Sequence, residues 1–231
     1  MIPKKIHYCW FGEAKIPKEF KNYIDEWSII MPDFEIKLWN EANAPMDLPY
    51  MKKAFEHKKW ANLSNYTRLH AVYEEGGIYL DTDVKVVKSF SDLLHNTCFF
   101  GLQTSDWDAR YSFNNAVYGA EKNHRFIKKL KDALIALYDG TEEANLSSPH
   151  LTTYFLREVG YNAKYDLGKL KNGIQIYPPD YFFPYHWEND FDPDQVTKNT
   201  YAIHFWNGSW WRNIENKQKD TFLNKFLNKF R

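Results

Sequence analysis

Apolar residues along the chain switch between a period near 2 and a period near 3.6, and the switches mark out the elements. Residues 5–11 are apolar and aromatic and close at Gly12, which predicts a first strand. After Pro17, Phe20, Tyr23, Ile24, Trp27 and Ile30 recur at helical spacing until Pro32 stops them. Residues 34–39 predict a second strand. Helices are expected over 51–58 and 60–75, the latter with Leu63, Tyr66, Leu69, Val72 and Tyr73 on one stripe. Gly76-Gly77 ends it, and a strand is expected over 78–84. This β-α-β-α-β order predicts an α/β domain with a mostly parallel central sheet.

The second half is less regular. Short strands are expected over 98–103, 115–119, 174–177 and 201–206, and helices over 123–138, 149–159 and 217–231. An aromatic, proline-rich run, Pro178 to Pro184, lies between. No repeat, low-complexity linker or composition break divides the chain, so residues 1–231 are expected to form one domain.

The densest local chemistry is in Glu75-Gly76-Gly77-Ile78-Tyr79-Leu80-Asp81-Thr82-Asp83-Val84. On a continuous strand, Tyr79, Asp81 and Asp83 would share one face, with the aspartates about 7 Å apart at Cα. Like charges that close are costly unless a cation joins them. Oxygen ligands suit Mg²⁺ or Mn²⁺, and such ions commonly bring phosphates. The expectation is a metal–diphosphate site at the carboxyl end of a sheet strand.

Composition narrows the classes. Thirty basic and thirty acidic residues balance, which speaks against a dedicated nucleic-acid binder. Two cysteines, Cys9 and Cys98, make neither a disulfide framework nor a C-x-x-C zinc motif. The strand-like pattern begins almost at Met1 and no apolar run nears 18 residues, so a cytosolic protein is expected. Aromatics reach 18% of residues; some of these are core, and exposed rings would suit the flat C–H faces of sugars.

The run Trp60 to Leu69, followed by Tyr73-Glu74-Glu75-Gly76-Gly77-Ile78-Tyr79-Leu80-Asp81-Thr82-Asp83, resembles the sugar-binding DXD region of glycosyltransferase family 32. That family includes yeast Golgi mannosyltransferase-like proteins and bacterial capsule transferases. The opening Ile2 to Gly12 resembles its first strand, and Ile203 to Trp210 its C-terminal metal loop. The resemblance implies a GT-A fold and a retaining, metal-dependent hexosyl transfer. The donor would be a UDP-sugar, UDP-galactose or UDP-glucose first. The acceptor would be a polysaccharide or lipid-linked glycan, as in bacterial capsule synthesis.

The resemblance also distributes roles. Asp83 would bind Mn²⁺ or Mg²⁺, and Asp81 would hold the donor and assist the metal. Arg68, one turn after Asn65 on the same helix face, would fork onto donor oxygens or pair with a nearby carboxylate. Asn65 stands where the family usually has an aspartate that grips a donor hydroxyl; the amide keeps the shape and loses the charge. Trp10 would stack on the nucleobase or belong to the core. His204 would be a further metal ligand or a structural histidine. Ser209 and Trp210 would hold the diphosphate. Ser148-Pro149-His150-Leu151-Thr152 resembles a turn near the acceptor side, and capping by Ser148 explains it equally well. In the last helix Phe222, Leu223, Phe226, Leu227 and Phe230 share an arc, which fits packing on the domain or peripheral contact with an anionic membrane.

Three other classes compete. A haloacid-dehalogenase-type phosphatase also carries D-x-D after an apolar strand, but wants Thr or Val where Lys85 stands and places the motif on its first strand. A glycoside hydrolase places its two carboxylates on separate segments. A non-catalytic sugar-binding protein would explain the aromatics and would fit Asn65.

Overall fold

The computed structural model describes residues 1–104, 112–161, 168–170 and 172–207. Seven strands form the central sheet in the order β2-β1-β3-β6-β5-β8-β7. They are β1 (Lys5–Cys9), β2 (Glu35–Trp39), β3 (Gly77–Leu80), β5 (Cys98–Leu102), β6 (Phe113–Ala120), β7 (Gly168–Lys169) and β8 (Ile174–Tyr177). β1 pairs in parallel with β2 and β3, and β5 with β8; β6 and β7 run the other way. Five of seven strands therefore share one direction, as the alternation of strand and helix predicts. A separate ribbon joins β4 (Val84–Val86) to β9 (Ala202–His204).

Side-chain alternation splits the core into two layers. On β3, Tyr79 enters one layer while Ile78 and Leu80 enter the other; on β5, Phe100 and Phe99 divide the same way. The first layer is covered by α2 (Pro49–Glu56), α3 (Trp60–Glu75), α4 (Arg125–Leu137) and α5 (Leu151–Glu158). The second lies under α1 (Lys18–Ile30), β4 and the aromatic run containing Phe182 and Phe183. Fully buried Trp27 of α1 donates from Nε1 to the Val84 carbonyl at 3.0 Å, which fastens the ribbon to α1.

The link from α3 to β3 needs its two glycines. Gly76 caps the helix at φ 68°, and a Cβ there would lie 2.7 Å from the Lys122 nitrogen. Gly77 has φ 111°, and a Cβ would lie 2.6 Å from the Lys5 carbonyl oxygen. Buried His7 on β1 secures this turn. Trp39 Nε1 donates to His7 Nδ1 at 3.0 Å, so the imidazole proton sits on Nε2, 2.8 Å from the Gly76 carbonyl.

Two expectations need correction. The strand expected over 78–84 is two strands. β3 ends at Leu80, Val84 N–H closes a turn onto the Asp81 carbonyl at 3.1 Å, and β4 then leaves to pair with β9. The helix expected from 149 begins at Leu151, after a wide π turn over Leu146–His150. Pro149 sits inside that turn, where it cannot donate to an α-helical ladder, and Ser148 makes no cap. The expected helix over 217–231 lies outside the described residues.

Candidate active site

Because β2, β1 and β3 are parallel, their carboxyl ends open on one edge, the side on which α/β sheets bind ligands. Asp81 follows β3 there, its N–H still bonded to the Ala116 carbonyl of β6 at 2.9 Å. The turn that ends β3 carries Asp83 into contact with β9. Asp83 Oδ1 lies 3.3 Å from His204 Nε2, and Oδ2 accepts from the Asn207 backbone N–H at 2.8 Å. Phe205 N–H donates to the Asp83 carbonyl at 3.1 Å. The bend, rather than strand alternation, thus groups Asp81, Asp83 and His204, with one ligand atom from each within 4.8 Å of the others.

Electrostatics agree with a pair of opposite charges. Burial disfavours the charged form of Asp83, but His204 and the Asn207 N–H offset it and hold its carboxyl below the usual range. Burial likewise pushes His204 down, and Asp83 pushes it further up. His204 Nδ1 is buried with no hydrogen-bond partner among the described residues. Two carboxylates and one imidazole, neutral once a cation takes the place of its proton, fit a divalent cation by donor chemistry.

Asp81 is held from behind. Its Oδ1 accepts from Tyr79 Oη at 2.8 Å and lies 3.1 Å from Arg68 Nη2. Arg68 also donates to the Asn115 carbonyl at 2.9 Å, and its guanidinium sits over the Tyr79 ring at 4.5 Å. Burial works against the guanidinium's charge, but Asp81 offsets it, so Arg68 stays charged. Of the two uses expected for Arg68, pairing with a carboxylate is the one seen.

Asn65 is buried one turn away. Its Nδ2 donates to the Ala144 carbonyl at 2.8 Å and to Ser147 Oγ at 3.2 Å. The opposite amide orientation would set oxygen against oxygen, so this one is chosen by the network. Trp10 follows β1, half-buried and outside both core layers, with Nε1 donating to the Ala14 carbonyl at 2.6 Å. Ser209 and Trp210 lie outside the described residues.

Sequence reading missed Tyr79 as a partner of Asp81, and Asn115. Asn115 Nδ2 donates to Thr152 Oγ1 at 2.8 Å, tying β6 to α5, while its buried Oδ1 has no partner among the described residues. The readable signal was a pair of asparagines in an otherwise apolar strand.

Two family descriptions match this arrangement. "Glycosyltransferase sugar-binding region containing DXD motif" covers residues 17–100. "Alpha 1,4-glycosyltransferase conserved region" covers residues 119–230. The chain is related to the DXD-containing glycosyltransferases. In this glycosyltransferase-related chain the DXD is Asp81-Thr82-Asp83, and His204 falls in the second matched region.

Among curated proteins, lactosylceramide 4-alpha-galactosyltransferase of Mus musculus is 30% identical over 154 residues, 63% of this chain and 40% of that protein. The chain thus spans about two fifths of that relative's length. An uncharacterized glycosyltransferase of Acanthamoeba polyphaga mimivirus is 24% identical over 98% of this chain and 90% of its own. The solved structure of the PaToxG glycosyltransferase superposes with a TM-score of 0.55 over 68% of this chain and 69% of that one, at 21% identity. The fold is the GT-A fold.

Proposed function

We propose that this protein transfers a hexose from a UDP-sugar to a glycan acceptor, with retention at the anomeric carbon and with Mn²⁺ or Mg²⁺ as cofactor. The observation that carries the proposal is the meeting of Asp81, Asp83 and His204 at the carboxyl edge of β3. UDP-galactose is the first donor to test, because the mouse relative's name specifies a galactosyltransferase. That name also specifies an alpha linkage, which from an alpha-linked donor means retention, and an acceptor sugar carried on a lipid.

Asp81, Asp83 and His204 would hold the cation, which when bound neutralises diphosphate charge and helps the nucleotide leave. Arg68 keeps Asp81 in position and brings positive charge beside the donor. The Trp10 ring, free of the core, offers a stacking face for the nucleobase, a contact worth ~1–3 kcal/mol. Asn65 Oδ1 has no donor among the described residues and supplies an acceptor for a sugar hydroxyl. Ser209 and Trp210 are assigned to the diphosphate by resemblance alone.

The test is a panel of nucleotide sugars with Mn²⁺ or EDTA, followed by nucleotide release and sugar transfer. Release from a UDP-hexose in Mn²⁺, lost in EDTA and in a folded Asp83→Asn variant, is expected. Undiminished turnover by Asp83→Asn in EDTA refutes the metal-dependent reading. Tight UDP-sugar binding with no turnover would favour a non-catalytic binding protein.

A further inference from the structure

Two donors converge on one oxygen of Asp81. Tyr79 Oη donates to Oδ1 at 2.8 Å, and Arg68 Nη2 approaches the same Oδ1 at 3.1 Å. Neither donor is free to wander. Tyr79 is 1% exposed, and its ring lies under the Arg68 guanidinium at 4.5 Å. Arg68 is itself anchored by the Asn115 carbonyl at 2.9 Å and the Ser64 carbonyl at 3.3 Å. Asp81 Oδ2 has no protein donor among the described residues. A carboxylate whose one oxygen is doubly engaged keeps its other lone pairs, and its rotamer, for a ligand.

We propose that Tyr79 is a positioning residue: with Arg68 it saturates Asp81 Oδ1 and reserves Oδ2 for a divalent cation, so that Asp81 ligates through one oxygen only. The inference rests on the reading of Asp81, Asp83 and His204 as a cation site. It accounts for the polar tip of a tyrosine at a fully buried strand position. The neighbouring strand supplies a contrast. Tyr118 on β6 pairs directly with Tyr79, their ring centroids are 5.9 Å apart, and the Tyr118 hydroxyl has no partner among the described residues.

The contrast makes the experiment. Mn²⁺ alone is titrated into the full chain and free ion is read by electron paramagnetic resonance, for the parent, Tyr79→Phe, Tyr118→Phe, Asp81→Asn and Asp83→Asn. Outer-shell partners of metal ligands typically change affinity by about 10–100-fold, so Tyr79→Phe should weaken Mn²⁺ binding at least ~10-fold, with Tyr118→Phe unchanged. Parent-like binding by Tyr79→Phe, while Asp81→Asn loses the ion, overturns the positioning role alone. Equal losses in both tyrosine variants mean general loosening and also overturn it. Parent-like binding by both aspartate variants removes the cation site itself and the inference with it. Should Tyr79→Phe fail to fold, Arg68→Lys takes its place: it removes the Nη2 contact to Oδ1, and parent-like Mn²⁺ affinity there means that Oδ1 need not be doubly engaged, which overturns the proposal.

Discussion

At the scale of single residues, the donor or acceptor character of one atom decides what a position does. Asn65 shows this best. Its Nδ2 is spent on the Ala144 carbonyl and Ser147, and Asn62, one turn earlier, donates to the Glu142 carbonyl at 3.0 Å. Two amides on one face of α3 thus clasp the segment that leads into the π turn. An aspartate cannot donate. Asn65→Asp would face the Ala144 carbonyl with a second acceptor and is expected to cost ~1–3 kcal/mol, seen as a lower urea midpoint. An unchanged midpoint together with faster donor turnover would mean that the Nδ2 contacts contribute little and that the site works better with the charged acceptor of the family's aspartate.

At the scale of elements, the short ribbon β4–β9 matters more than its length suggests. It begins one residue after Asp83 and ends on His204, so its placement sets the distance between two site residues. The ribbon is held to α1 through Trp27, whose Nε1 reaches the Val84 carbonyl. Trp27→Phe keeps an aromatic ring but strands that carbonyl. Its expected cost is ~1–3 kcal/mol, with faster amide hydrogen exchange over Val84–Val86 than over β3. Uniform acceleration over both elements would mean that Trp27 supports the whole core and not the ribbon in particular.

At the scale of the whole molecule, charge and burial predict how stability follows pH. Burial lowers the pKa of His7 from 6.5 to about 4 against the pull of the Gly76 carbonyl. The unfolded chain therefore binds more protons between those values, and stability falls as pH drops from 6.5 toward 4. The 2.5-unit gap corresponds to ~3 kcal/mol. Glu75 adds a second, lower window. Partial burial disfavours its charge, but hydrogen bonds from Lys37 and Lys5 outweigh that and hold it at about 2, so its contribution is lost as pH falls from 4.5 through 2. Urea unfolding at a series of pH values should show both slopes, and His7→Gln should flatten the upper one. A profile that is flat between pH 6.5 and 4.5 in the parent would contradict the buried neutral imidazole.

Local pattern made much of this protein legible. The alternation of periods located α1, β2 and α3 nearly to the residue and the starts of β1 and β3, and Gly76-Gly77 marked the turn that only residues without a Cβ can make there. The D-x-D pair stood out as candidate ligands because two like charges that close are costly without a cation, whereas His204 was reached only through the family resemblance. Periodicity alone could not show that Asp83 leaves the strand. That follows from β4 pairing with β9, a long-range choice made where a free strand edge meets distant backbone. Nor could it show that Asn65 donates to Ala144, or that Tyr79 and Arg68 share one oxygen of Asp81. Residue type and spacing were enough for most elements of the first half and for the carboxylate pair. Which atom faces which was decided by tertiary packing, because every buried polar group must find its partner among residues far away in the chain.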